Sequence, residues 1–290
     1  MSPWVAIQRN PSSGAGPKRD LLIQLIDGLK QHNIRTRLFR NRDRLKRRLE
    51  NAEAREALVC IVAAGGDGTV ADVINRHPGV RMTVLPLGTE NLLSKYLGIQ
   101  KSGSFVADII AKGNVRKLDL AELNGRRFSL MTSFGIDADI VHKTDARRSG
   151  HISKLTYLMP ILESLKDYKY PQLSLYLDGS EDPVTAKTVQ IVNLPAYALG
   201  MPFARSARGD DGLLDLRLFE RGSRWNMLRY ISNIVMGGRH ERLSDVSCLT
   251  AERIRVESEV PVPIQADGDP AGWTPAEINV LPGALEVIVP

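Results

Sequence analysis

Apolar positions in the first third of the chain follow two alternating rhythms. Trp4 to Gln8 has strand character and runs into a turn-rich segment, Asn10 to Pro17. Leu21, Leu22, Leu25, Ile26 and Leu29 then recur at helical spacing and predict an amphipathic helix over residues 18 to 31. Leu58 to Ala64 is an unbroken apolar run closed by Gly65-Gly66, the pattern of a strand buried on both faces of a parallel sheet. Val70, Val73 and Ile74 predict a helix ending near His77-Pro78, followed by a strand over Arg81 to Leu85 and a helix over Asn91 to Leu97. Repeated strand–helix units predict a layered α/β domain with a mostly parallel sheet.

From about Arg116 the rhythm changes. Leu118 to Leu123, Phe128 to Phe134, Leu173 to Leu177, Thr185 to Asn193, Leu213 to Phe219, Ile254 to Val256 and Leu285 to Val289 all have strand patterns. Only residues 151 to 167 and 224 to 236 have convincing helical ones. Many strands with few helices predict an antiparallel sheet or sandwich. The expected boundary lies near residue 120, with an α/β domain over 1–120 and a β-rich domain over 121–290.

Composition narrows the class. With 290 residues, 43% hydrophobic and 25% charged, the chain is ordinary globular material, which excludes disorder, collagen and coiled coil. Cys60 and Cys248 are the only cysteines, and their separation points to a reducing compartment rather than a disulfide framework. Met1 to Asn10 lacks the basic-then-apolar pattern of a signal peptide, and Leu58 to Ala64 is far short of the ~20 residues of a spanning helix. The expectation is a soluble cytoplasmic protein. Its net charge of +6 is unevenly spread: Arg35, Arg37, Arg40, Arg42, Arg44, Lys46, Arg47 and Arg48 are opposed only by Asp43. Such a cluster either attracts phosphates, on nucleic acid or an anionic lipid surface, or forms a solvated helix face.

Three loops carry candidate chemistry. Gly65-Gly66-Asp67-Gly68-Thr69 lies between a buried strand and a helix, so an anion can approach the backbone and a helix amino end. Thr69 fits a helix N-cap, with Asp72 three residues on in a capping-box position. A carboxylate beside polyphosphate needs a cation between them, so Asp67 suggests Mg²⁺ together with nucleotide. An Asp-Gly turn of no chemical consequence is the alternative. Pro86-Leu87-Gly88-Thr89-Glu90-Asn91 repeats the design, and Asn10 to Lys18 offers a third small-residue loop with Gly14. Loops at strand carboxyl ends are where open α/β sheets bind ligands. Asp210-Asp211-Gly212 and Asp267-Gly268-Asp269 are either turns or carboxylates for proton transfer or cation binding. The five histidines have no metal-ligand spacing and are expected near the surface.

Taken in order, these residues resemble the diacylglycerol kinase catalytic domain family, which includes bacterial lipid kinases and sphingosine kinases. The resemblance rests on Asn10-Pro11 with Gly14, Gly65 to Thr69, Gly88-Thr89 with Asn91, Gly135-Ile136-Asp137-Ala138, Asp211-Gly212-Leu213-Leu214-Asp215 and Asp267-Gly268. It implies an amino-terminal three-layer α/β domain like that of NAD kinases and phosphofructokinases, then a β-rich sandwich domain whose last ~12 residues return to the first. It also implies ATP and Mg²⁺, with Asn10, Gly14, Gly65, Gly66, Asp67, Gly68, Thr69, Gly88, Thr89 and Asn91 around the nucleotide or its metal. Asp267 would be the base for a lipid hydroxyl, and Asp211 with the carbonyls of Arg208 and Leu213 would match a structural cation site. The chain departs from the family at Leu92, where Asp is usual beside an acidic pair matched here by Asp67 and Asp119. It departs again at Asp269, where Glu is usual, and at Ala198-Leu199-Gly200-Met201, where glycines are. Glu90 is a candidate for the charge missing at Leu92.

The function expected is therefore an ATP-dependent lipid kinase acting on a diacylglycerol-like hydroxyl. Arg35–Arg48 would touch anionic membrane at the inner surface, with no nucleic-acid partner. The competing readings are a kinase with a soluble acceptor, as in NAD kinases, and a nucleotide-binding regulator without kinase activity.

Overall fold

Strand β1 (Trp4–Arg9) opens the chain, followed by α1 (Lys18–Gln31), β2 (Arg35–Phe39), α2 (Arg42–Leu49), α3 (Ala52–Glu56) and β3 (Leu58–Gly65). Then come α4 (Asp67–Arg76), β4 (Met82–Pro86), α5 (Leu92–Tyr96), α6 (Gly103–Lys112) and β5 (Val115–Leu123). The computed structural model describes residues 2–9, 18–147, 158–195 and 203–290. Two units emerge: Met1–Asp119 with Pro282–Pro290, and Leu120–Leu281.

In the first unit, four strands run parallel in the order β2-β1-β3-β4. Arg9 pairs with Ala64 and Gly65 with Pro86, so the loops that follow β1, β3 and β4 leave from one end of the sheet. Cys60 to Ala64 are wholly buried, which accounts for the continuous apolar run. Each fully buried side chain of Leu or Ile size contributes roughly 1.5–3 kcal/mol, so this strand anchors the layer. Burial also pushes the Cys60 thiol up to about 12, making it an inert core group.

The basic cluster is a strand plus a helix rather than one solvated helix face. Arg35 and Arg37 are exposed on edge strand β2, where charge discourages pairing with another chain. Helix α2 follows, capped by Asn41, whose Oδ1 accepts from the N–H groups of Asp43 and Arg44, and anchored by buried Leu45 and Leu49.

The second unit contains β6 (Arg126–Phe128), β7 (Met131–Phe134), α7 (Ile136–Ala146), α8 (Leu158–Asp167), β8 (Leu173–Leu177), β9 (Val184–Ala186) and β10 (Thr188–Val192). It continues with β11 (Leu214–Phe219), α9 (Arg224–Val235), β12 (Val246–Ala251), β13 (Arg253–Glu257), β14 (Pro263–Ala266), β15 (Asp269–Trp273) and β16 (Ala276–Ile288). Six strands form an antiparallel sheet in the order β12-β11-β10-β7-β14-β15. Antiparallel pairings of β13 with β8 and with Ala276–Asn279 of β16 build the facing layer. Phe128, Phe134, Leu175, Ile191, Leu216, Val256 and Ile264 fill the space between, which makes a sandwich.

Several expectations need correction. Phe128 to Phe134 is two strands, because the chain turns at Ser129-Leu130, and Thr185 to Asn193 is likewise split. Helix α7 was not anticipated: its buried residues are Ile136, Ala138 and Thr144, which make no helical stripe. Two histidines are core residues, since His77 and His240 are buried. His151 lies outside the described residues.

Candidate functional site

The glycine loop forms where β3 gives way to α4. Gly66 is the residue ahead of the helix, so Thr69 is not the N-cap; it lies inside the first turn and is buried. Thr69 folds back over Gly65, its Oγ1 only 2.1 Å from where a Gly65 Cβ would stand. Asp72 does not close a capping box either. Its carboxylate accepts from Gln8 Nε2 at 2.5 Å and pairs with Arg76 at 2.8 Å and Arg42 at 3.3 Å.

The second loop lies directly against the first. A Cβ on Gly88 would be 2.4 Å from Gly66 Cα and 2.8 Å from Asn91 Oδ1. Leu87 N–H donates to Gly65 O at 2.9 Å, stitching the two backbones together. Asn91, in the left-handed region at φ 51°, spends its amide on its own loop: Oδ1 accepts from Gly88 N–H and Nδ2 donates to Gly88 O. Thr89 is exposed, and a Cβ on Gly68 would meet nothing within 4 Å. The result is a surface made of backbone, open above Gly68, beside the amino end of α4. That is a fit for phosphate oxygens.

Asp67 sits between the two loops. Its Oδ1 accepts the Leu92 N–H at 2.7 Å, so at the position where the family usually has Asp it is the backbone that meets this carboxylate. Glu90 does not replace the missing charge there; it pairs with Lys95 at 3.2 Å. Asp119 is buried and accepts from Gly283 N–H at 2.7 Å. Mg²⁺ bound with phosphates needs only one or two carboxylates from the protein, and Asp67 is placed to be one. Asn10, Gly14 and the Ala198–Met201 stretch lie outside the described residues. A basic groove of about 560 Å³, lined by Lys30, Arg35, Arg37 and Arg48, lies at the amino ends of β1 and β2, the opposite end of the sheet.

In the second unit, Asp267-Gly268 is the two-residue turn of the β14–β15 hairpin, with φ of 50° and 84°. Positive φ at both positions suits Asp-Gly, as in type I′ turns. The carboxylate reaches back to the β6–β7 corner. Oδ2 accepts from Ser129 N–H at 2.8 Å and Ser129 Oγ at 3.1 Å, and Oδ1 from the N–H groups of Leu130 (2.9 Å) and Met131 (3.1 Å). The residue keeps some exposed surface, yet the carboxyl is surrounded by protein; burial holds it above its ordinary value, against the pull of the Ser129, Met131 and Leu130 donors. Asp269 pairs with Arg126 at 3.3 Å.

Asp211 is exposed, and its Oδ1 accepts the Leu213 N–H in a tight turn. Among the described residues, no group of three His, Cys, Asp or Glu side chains could hold a metal. Asp215 is buried and structural: it accepts from Ser206 at 2.6 Å and pairs with buried Arg217 at 3.3 Å. Sequence reasoning missed a polar set around α7, in which Asp139 pairs with Lys143 and accepts from Ser164 Oγ, both at 2.6 Å. The i,i+4 spacing of Asp139 and Lys143 was its one visible signal.

Known proteins extend this picture. The family described as diacylglycerol kinase catalytic domain matches residues 5–123, and the YegS C-terminal NAD kinase beta sandwich-like domain matches residues 131–289. A diacylglycerol kinase of Mycobacterium tuberculosis (strain ATCC 25618 / H37Rv) is 30% identical over 239 residues, covering 79% of this chain and 76% of that protein. One from Bacillus subtilis (strain 168) is 23% identical over 237 residues, covering 79% and 77%. A solved structure of a diacylglycerol kinase from Bacillus anthracis str. Sterne superposes with TM-score 0.73 at 20% identity, covering 100% of this chain and 97% of the other. That likeness speaks for the fold.

Proposed function

We propose, because this chain belongs to the diacylglycerol kinase family, that it is an ATP-dependent lipid kinase whose acceptor is the hydroxyl of a diacylglycerol-like amphiphile. The observation that carries this reading is the backbone contact of Gly66 with Gly88 around Asp67. Phosphoryl transfer rests on positioning and electrostatics more than on covalent chemistry, and a rigid backbone cradle supplies positioning. Mg²⁺, when bound with ATP, would offset phosphate charge. Asp67 would hold the cation, while Gly66 and Gly88 let the two loops meet and Gly68, open to space, would let the phosphates approach the chain. Asp267 would take the acceptor proton, a role favoured by burial, which raises its affinity for protons. Asp211 with the carbonyls of Arg208 and Leu213 is retained as a structural cation site, and Arg35–Arg48 as a basic contact for anionic membrane at the inner surface.

Radiolabelled ATP supplied with diacylglycerol in detergent micelles, beside NAD and other soluble acceptors, tests the reading. Labelled lipid is expected from the native protein and not from Asp67→Asn. Label in a soluble acceptor alone would overturn the lipid assignment. A nucleotide-binding regulator is the second reading, supported by Leu92, which lacks the carboxylate usual at that position. Stabilisation by ATP and Mg²⁺ without any labelled product would favour it.

A further inference from the structure

Helix α9 is apolar on two faces, and among the described residues only one is buried. Met227, Tyr230 and Ile234 are buried within the second unit. Trp225 (68% exposed), Leu228, Ile231, Val235 (63%) and Met236 are exposed on the other side. They recur at helical spacing and form a stripe of their own. Helix α8, packed beside α9, exposes Leu158, Met159 and Leu162. Seven of the thirteen exposed large apolar side chains among the described residues thus belong to these two neighbouring helices, and Met236 caps α9. An accumulation of this kind marks an interaction surface rather than chance exposure.

The charges around the stripe indicate what covers it. Arg224 lies over the Trp225 ring at 5.2 Å, and Arg239 and Arg242 are exposed just beyond the helix. Arg205 reaches the carboxyl end, its Nη2 3.8 Å from where a Gly237 Cβ would stand. Glu241 is the only acidic residue between Arg221 and Arg242, and it is engaged by Arg217 at 2.7 Å. A second copy docked face to face would set these arginines against their own counterparts, which is unfavourable. An anionic bilayer matches both halves of the pattern: acyl chains for the stripe, lipid phosphates for the rim. Tryptophan at the boundary fits as well, since its ring favours the headgroup region. With 12 residues, about 18 Å long, α9 can lie in the interface, and no described helix is long and apolar enough to cross a membrane.

We propose that α9 docks this protein on anionic membrane, with Trp225, Leu228, Ile231, Val235 and Met236 entering the acyl boundary and Arg205, Arg224 and Arg239 meeting lipid phosphates. The choice of a lipid surface rests on the lipid-kinase reading above, but the test separates them. Full-length protein is sedimented with phosphatidylcholine vesicles, with and without phosphatidylglycerol, and assayed separately on diacylglycerol in detergent micelles. Native protein should favour the anionic vesicles. The exposed pair Leu228→Glu with Val235→Glu should lower vesicle partition at least about tenfold while micelle turnover stays within about twofold. Arg224→Glu with Arg239→Glu should weaken the preference for phosphatidylglycerol, leaving only what Arg35–Arg48 contributes. Unchanged partition of the Leu228/Val235 variant overturns the docking, as does a native dimer that the substitutions dissociate. Vesicle binding lost in that variant, with no micelle turnover even in native protein, upholds the docking and sinks the lipid-kinase reading alone.

Discussion

The glycine loops of the first unit and the Asp267 hairpin of the second reach candidate chemistry by opposite routes. At Gly66 and Gly88 the site exists because side chains are missing: two backbones touch, and one carboxylate stands between them. At Asp267 it depends on a side chain that is already fully employed, holding the Ser129–Met131 corner through four donors. Removing the carboxylate in the first region should damage function before stability, whereas in the second the two should fall together.

Asp67→Asn gives the largest functional effect. The amide oxygen can still accept the Leu92 N–H, so the fold stays intact, while loss of the charge should lower turnover about a thousandfold in the micelle assay. An equal loss of melting temperature would erase the contrast with Asp267. Gly88→Ala comes next. Its Cβ would overlap Gly66 Cα at 2.4 Å, so the loops must part; turnover should fall about a hundredfold and nucleotide affinity with it, as titration calorimetry can measure.

Asp267→Asn should also cost turnover about a hundredfold, and in addition about 2 kcal/mol of unfolding free energy, because the amide NH2 replaces one acceptor oxygen and faces N–H donors of the corner. The pH dependence has a definite sign. Burial raises this carboxyl above its ordinary 3.8, so the folded state binds the proton more tightly than the unfolded chain. Its contribution to stability is complete below 3.8 and is lost as pH rises through the raised value. Urea midpoints measured upward from about pH 3 should show that loss in native protein and not in Asp267→Asn. An unchanged slope would remove Asp267 as its source.

The smallest effect is expected at His240. Its ring stacks on Phe203 at 4.9 Å in the core, and burial lowers its proton affinity below the ordinary 6.5. The stability tied to its neutral form is present above 6.5 and is lost as pH falls through the lowered value. His240→Phe should be neutral or stabilising by about 1 kcal/mol at neutral pH, and should flatten the acid limb of the melting curve.

Much of this was legible along the chain. The Leu58 run, the helical stripe of residues 21–29 and the strand-rich second half specify an α/β layer and a sandwich, because burial on two faces, on one stripe or on alternate positions leaves distinct apolar periods. The glycine loop announced itself through the residues flanking it. The helix start at Gly66 was misread as Thr69, since capping depends on where a side chain turns, and Thr69 turns inward onto Gly65. Helix α7 left too irregular a pattern to see.

By itself, then, the sequence determined the layers, the loops and the kind of residue each loop offers, all of which follow from local spacing. Only the tertiary structure decided that Gly66 touches Gly88, that Leu92 meets Asp67 through its backbone, that Asp267 is a staple, and that α9 shows a second apolar face to solvent. Each of these depends on which distant segments share a boundary, and a one-dimensional pattern records the period of burial without recording the partner.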